Sequence, residues 1–176
     1  MIFRPLAVAG PYLIDVEPHE DHRGFYAQSF SAREFRTHGL IETFLECGIS
    51  YNTRRGTVRG MHLQIAPHAQ AKLVRCSRGA IYDVIIDLRR ESASYGQWLA
   101  VDLSMSGRTL LYVPEGFAYG FQTLTDDVEV TYQLSAHFQP DAEVGVRWND
   151  PRFGITWPVA DVVVSERDRS FADFRD

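Results

Sequence analysis

Cysteine is scarce in this chain. Cys47 and Cys76 are the only two, too few for a disulfide framework and without metal-ligand spacing, so both are expected to be reduced structural thiols. Long apolar runs are missing as well: none approaches the ~18 residues of a membrane span. Residues 1–18 show no cationic start followed by an apolar stretch, so a cytosolic protein is expected. Nor is there a surplus of positive charge. Acidic and basic residues mix along the whole length to a formal net charge of -5, which argues against a basic surface for nucleic acid and leaves phosphate recognition to a few placed arginines. Glycine-rich phosphate loops and a Gly-x-Ser-x-Gly nucleophile turn are absent, and Cys76 has only Arg75 and Arg78 as basic neighbours. His19, His22, His38, His62, His68 and His137 form no His-x-His pair and no close set with a carboxylate, so a catalytic metal is not expected.

What is present points to one all-β domain. A length of 176 residues with 45% hydrophobic content suits a single core, and no shift in composition divides residues 1–176. From Lys72 to Leu134 short apolar segments alternate with turn signals at Gly79, Gly96, Ser106-Gly107, Pro114-Gly116 and Thr125-Asp127. That spacing predicts an antiparallel sandwich or barrel. Leu99, Val101 and Leu103 alternate with Ala100, Asp102 and Ser104. Val128, Val130 and Leu134 alternate with Glu129, Thr131 and Gln133, which turns Tyr132 inward. Ser31-Ala32-Arg33-Glu34 is a capping box and Gly39 a left-handed stop, so a short helix is predicted over about 32–38. The polar tail after Trp157 is expected to cover one end of the barrel.

Three residues stand out for their chemistry. Lys72 shares strand parity with Val74 and Cys76, which puts its ammonium on an apolar face unless the lysine turns to solvent. Burying an unpaired cation costs several kcal/mol or lowers its pKa, so such a lysine needs a carboxylate, an anionic ligand or a developing oxyanion nearby. His62 is either a hydrogen-bonded core histidine or a base, and Tyr132 either core or catalyst. Single residues do not separate these readings.

Collinear motifs do. Asp21-x-Arg23-Gly24-Phe25 is followed by Gly56-Thr57-Val58-Arg59-Gly60-Met61-His62-x-Gln64, then by Gln70-Ala71-Lys72-Leu73-Val74-Arg75-Cys76 and Asp83-Val84-x-x-Asp87-Leu88-Arg89. Pro114-x-Gly116-Phe117-Ala118, Tyr132, Trp148-Asn149-Asp150-Pro151, Trp157-Pro158 and Ser165-x-x-Asp168 complete the order. Over nearly the whole chain this resembles the dTDP-4-dehydrorhamnose 3,5-epimerase family. The resemblance implies a cupin-type jelly roll and a homodimer that exchanges N-terminal strands, with no metal and no organic cofactor. It implies stepwise proton exchange beside the C4 ketone of a nucleotide-linked 4-keto-6-deoxyhexose, feeding deoxysugars such as L-rhamnose into polysaccharide. By the family pattern His62 is the base and Asp168 orients it. Lys72 stands near the oxygen where negative charge develops, and Tyr132 returns a proton to the opposite face. Arg23 and Arg59 match phosphate contacts. Phe25, Glu143 and Arg167 are further binding candidates.

The chain departs from that pattern at several positions. Tyr119 stands where the family usually has histidine, next to the oxyanion that the resemblance implies. Gln28 replaces a usual glutamate, Glu46 and Gly48 replace a glutamine and an asparagine that meet the nucleotide, and Phe138 replaces a frequent tyrosine. The expected reaction is therefore epimerisation at C3, C5 or both. The alternatives are a 3,4-ketoisomerase on a similar nucleotide sugar and a sugar-nucleotide binding protein without turnover.

Overall fold

The computed structural model describes residues 1–175 and is built mainly of strands. In chain order these are β1 (Ile2–Pro5), β2 (Tyr12–Asp15), β3 (His19–Asp21) and β4 (Gly24–Tyr26), followed by helix α1 (Ala32–Thr37). Then come β5 (Glu46–Asn52), β6 (Thr57–Gln64), β7 (Lys72–Arg78), β8 (Ala80–Asp87), β9 (Trp98–Ser104), β10 (Thr109–Val113), β11 (Phe117–Thr123) and β12 (Val128–Leu134). A 3-10 turn at Pro140–Ala142, the short strands β13 (Glu143–Gly145) and β14 (Val163–Val164), and helix α2 (Glu166–Ser170) close the chain. The strands after Lys72 end where turn residues interrupt the apolar pattern: Gly79 parts β7 from β8, Gly96 lies before β9, and Gly116 lies before β11.

Two six-stranded sheets face each other as a jelly roll. One has the order β1-β2-β10-β7-β12-β5; the other has the order β13-β6-β11-β8-β9, with β14 parallel to β6. Hairpin β3–β4 pairs only with itself, and all six of its strand residues are exposed. Val74, Ile81, Ile85, Leu111, Phe121 and Val130 fill the space between the sheets. A second cluster covers the outer face of the β6–β11–β8 sheet, where Val84, Ile86 and Ala118 meet Phe153, Trp157 and Phe174. Because β8 is covered on both faces it reads as a continuous apolar run rather than an alternating one. After Trp157 the tail sends Phe174 to that outer cluster and sets Val163, Ser165, Arg167 and Asp168 along the cavity between the sheets, and it contains a helix, α2, that the absence of a strong period conceals.

The predicted first helix is present. Ser31 Oγ accepts from Glu34 N at 3.4 Å, and Phe35 is fully buried. Its ring lies edge-on to Phe3, Phe30, Phe44 and Tyr112, a burial that stabilises by roughly 1.5–3 kcal/mol. Among the described residues no helix is long and apolar enough to cross a membrane.

Candidate active site

The site begins with an irregularity in β6. Tyr119 of β11 pairs with His62 and Phe121 pairs with Arg59, so two β6 residues, Gly60 and Met61, bulge opposite Gly120 alone. Only glycine fits there: a Cβ on Gly60, whose φ is +131°, would stand 2.5 Å from Gly120 Cα. In a regular strand Arg59 and His62 would face opposite sides. The bulge turns both into one cavity of about 600 Å³ between the sheets.

His62, from β6, shares that cavity with Tyr119 from β11, Lys72 from β7, Tyr132 from β12, and Asp168 and Arg167 from α2. Ser165 caps α2 by accepting from Asp168 N at 3.1 Å, which fixes the helix start and aims the Asp168 carboxylate back at β6. Its Oδ1 lies 2.8 Å from His62 Nε2, and its Oδ2 accepts from Gly60 N at 3.2 Å. Burial alone would raise the Asp168 carboxyl, but the His62 hydrogen bond and charge, the Gly60 amide and Arg167 hold it below the usual carboxylate range. The Phe171 ring lies edge-on to the imidazole, 5.9 Å between centroids, and passes so close to Gly145 that any Cβ there would overlap it. Glu143 Oε1 is 3.9 Å from His62 Nδ1, and its other oxygen is ion-paired with Arg167.

Lys72 points inward, as its parity suggests. Its Nζ donates to Gln70 Oε1 at 2.7 Å, and burial lowers its pKa to about 8 against the opposing pull of Glu143. On the facing wall the Tyr119 phenol donates to Asp83 Oδ1 at 2.7 Å. Asp83 is completely buried, which raises its carboxyl to about 8 although the Tyr119 bond works the other way. Tyr132 meets Tyr119 edge-on at 6.2 Å, and burial lifts its phenol well above the ordinary tyrosine value.

Of the sequence candidates, His62, Lys72, Tyr132, Asp168, Arg59, Tyr119, Phe138, Glu143 and Arg167 line the one cavity. Arg59 is held by Asn52 Oδ1 at 2.7 Å. Glu46 stands off the wall and ties the loop that carries Phe138: its two oxygens take His137 Nδ1 at 2.9 Å and Phe138 N at 3.3 Å. Arg23, Phe25 and Gln28 do not reach the cavity of their own chain. Arg23 is ion-paired with Asp21 in the exposed hairpin, Phe25 lies under the Arg108 guanidinium at 3.9 Å, and Gln28 lines a smaller cleft with Met1, Glu17 and Tyr26. Asp83, behind Tyr119, is not among the sequence candidates. The signal was available, since Asp83 shares parity with Ile81 and Ile85, an acid on an apolar face as odd as Lys72. Gln64, despite its place beside His62, is occupied structurally: it bonds the carbonyls of His68 and His137 and the Gln139 amide. Among the described residues no group of three or more His, Cys, Asp or Glu side chains converges to hold a metal.

The comparisons with known proteins agree with this geometry. The family model for dTDP-4-dehydrorhamnose 3,5-epimerase matches residues 5–176. A dTDP-4-dehydrorhamnose 3,5-epimerase of Sinorhizobium fredii is 39% identical over 171 residues, covering 97% of this chain and 88% of that protein. The crystal structure of the enzyme of that name from Elizabethkingia anophelis superimposes with a TM-score of 0.96 at 33% identity, covering 99% of this chain and 96% of the other. That of the Bacillus anthracis enzyme, with TDP and PPi bound, superimposes with a TM-score of 0.93 at 35% identity over 98% of this chain and 100% of the other. Sequence, fold and cavity converge, and the chain belongs to the dTDP-4-dehydrorhamnose 3,5-epimerase family.

Proposed function

We propose that this protein epimerises a dTDP-linked 4-keto-6-deoxyhexose at C3, C5 or both by proton abstraction and opposite-face reprotonation. The observation that carries the proposal is the cavity in which a carboxylate-oriented imidazole, an inward lysine and a half-buried tyrosine converge. His62, its Nε2 bonded to Asp168, takes the proton from the carbon beside the ketone; Asp168 fixes the tautomer and steadies the imidazolium. Lys72 meets the enolate oxygen, where its charge acts in a partly dry site. Tyr132 delivers a proton to the other face, which inverts the centre. Arg59, with Arg167 and Phe138 at the rim, receives the nucleotide end; the TDP bound to the Bacillus anthracis relative supports that ligand class.

The working form in this proposal is a homodimer. The exposed edge strand β5 carries Ile49 and Tyr51, with Leu45 just before it, an apolar margin suited to a second copy. Strands β1 and β2 pair inside the chain's own sheet, so the element left to cross over is hairpin β3–β4, which would bring Arg23 and Phe25 to the neighbouring cavity. Two free thiols, Cys47 exposed and Cys76 buried, fit a reducing cytosol.

Incubation with dTDP-4-keto-6-deoxyglucose in D2O, followed by NMR, tests the activity. Deuterium entering C3, C5 or both with the ketone kept at C4 is the expected result, and a ketone moved to C3 or an unlabelled sugar would refute it. Tyr132→Phe is expected to lose epimer formation while still washing deuterium out of labelled substrate.

A further inference from the structure

Three side chains run in line from the cavity wall into the core. Tyr132 and Tyr119 both line the cavity with their rings edge-on, 6.2 Å between centroids, and each phenol shifts the pKa of the other. Tyr119 in turn meets Asp83 Oδ1 at 2.7 Å, and Asp83 is 0% exposed. The outer oxygen of that carboxyl, Oδ2, is buried with no partner. An ionised carboxylate left this way, with one oxygen unsatisfied in an apolar core, is strongly disfavoured, so the group holds a proton. Its surroundings reinforce this: Tyr119 faces it from β11, Tyr132 from β12 and Cys76 from β7, while the negative charge of Asp102 on β9 opposes ionisation. Protonated Asp83 is itself a donor, and the contact with Tyr119 can then run in either direction.

We infer that Asp83 and Tyr119 form a proton relay behind Tyr132, in which a carboxylic acid at Asp83 supplies, through Tyr119, the proton that Tyr132 delivers to the sugar carbon. The inference rests on the proposed epimerase reading. As the new C–H bond forms, the Tyr132 O–H bond breaks and its electron pair stays on the phenol oxygen. The Tyr119 proton moves to that oxygen and the Asp83 proton moves to Tyr119, so both phenols end neutral and the charge resides on Asp83. The proton removed from the substrate sits meanwhile on His62. After turnover His62 releases it to water, and Tyr132, at the cavity wall, takes a proton from water and passes it inward.

The relay solves a problem of placement. A phenolate at Tyr132 would be a strong base in a half-buried position, since desolvation and Asp83 both push that phenol up. Asp83, raised by burial only to about 8, accepts the charge more readily than either tyrosine. Asp83 does not line the cavity and acts, with Tyr119, through Tyr132.

The test compares two rates in one substrate, epimer formation and washout of deuterium from C3 and C5, across pH. Lys72, with a pKa of about 8, gives both rates an alkaline limb, so their ratio isolates the acid side. In the wild type the ratio of epimer formation to washout is expected to fall above pH of about 8 as Asp83 ionises. In Asp83→Asn it is expected to be ~10²-fold lower at neutral pH and independent of pH. A ratio that keeps its wild-type value, or its alkaline fall, in folded Asp83→Asn overturns the relay, as does a proportional loss of both rates. Should Asp83→Asn fail to fold, Tyr119→Phe cuts the same chain and must show the same low, flat ratio. A wild type that neither washes out nor epimerises refutes the proposed function itself, a result distinct from failure of the relay.

Discussion

Arg59 and His62 face one cavity although they are three positions apart along β6, because the extra residue at Gly60-Met61 reverses the strand's parity between them. The phosphate-binding candidate and the base candidate therefore depend on the close approach of Gly60 to Gly120 rather than on a loop.

Gly60→Ala is expected to destabilise the fold by roughly 2–6 kcal/mol, from a strained positive φ together with the clash against β11. Calorimetry should record a fall in melting temperature of roughly 5–20 °C, with loss of deuterium exchange. A variant that melts like the wild type and still exchanges would remove the bulge as the organiser of the site.

His62→Ala is expected to lower exchange at both carbons by ~10²–10⁴-fold. Asp168→Asn should do nearly as much harm, since an amide can offer His62 Nε2 a donor where the carboxylate only accepts. NMR exchange rates on the purified, folded variants decide the point, and near wild-type exchange in His62→Ala would show that another group is the base.

Lys72 gives a pH dependence with a defined sign. Burial lowers its pKa to about 8, so the amine is charged below that pH and neutral above it, and the reaction should slow as pH rises through about 8. Glu143 opposes the lowering, and Glu143→Gln should move the limb to lower pH. The same shift means that the folded state disfavours the charged amine at neutral pH. Lys72→Met should therefore be nearly inactive yet melt no lower than the wild type at pH 7, and a clearly lower melting temperature would contradict the account.

Tyr119→His tests what the tyrosine does. An imidazole can bond Asp83 and face Tyr132 as the phenol does, and it can also carry positive charge, which a phenol cannot. The variant is expected to keep or raise the rate, with the gain at the slower of the two carbons. Collapse of activity in a folded protein would show the phenol to be indispensable here.

Much of this was legible in the sequence because it is periodic. The strands β7 to β12 follow from apolar segments bounded by Gly79, Gly96, Gly116 and Asp127, and Lys72 and Tyr132 point where parity puts them. Helix α1 follows from Ser31 and Glu34. Less visible was whatever depends on long-range placement. No local pattern brings Asp168 to a histidine 106 residues earlier. Helix α2 is too short for a hydrophobic period, and its one signal, Ser165 three residues before Asp168, has the spacing of the cap that marks α1. The shared orientation of Arg59 and His62 arises from a bulge that strand parity cannot express. Asp83 lies within one of the collinear motifs, yet its contact with Tyr119 exists only across paired strands.

Helix α2 bears on how the protein fails under heat. The five residues that carry Asp168 are held by the Ser165 cap, by the contact of Phe171 with Gly145, and by Phe174, whose amide donates to Asp150 Oδ2 at 2.6 Å. So short an element, fastened at a few points, opens at lower free energy than the sheets beneath it. Warming should detach Asp168 from His62 while the sandwich still stands, so thermal inactivation would precede melting and reverse on cooling.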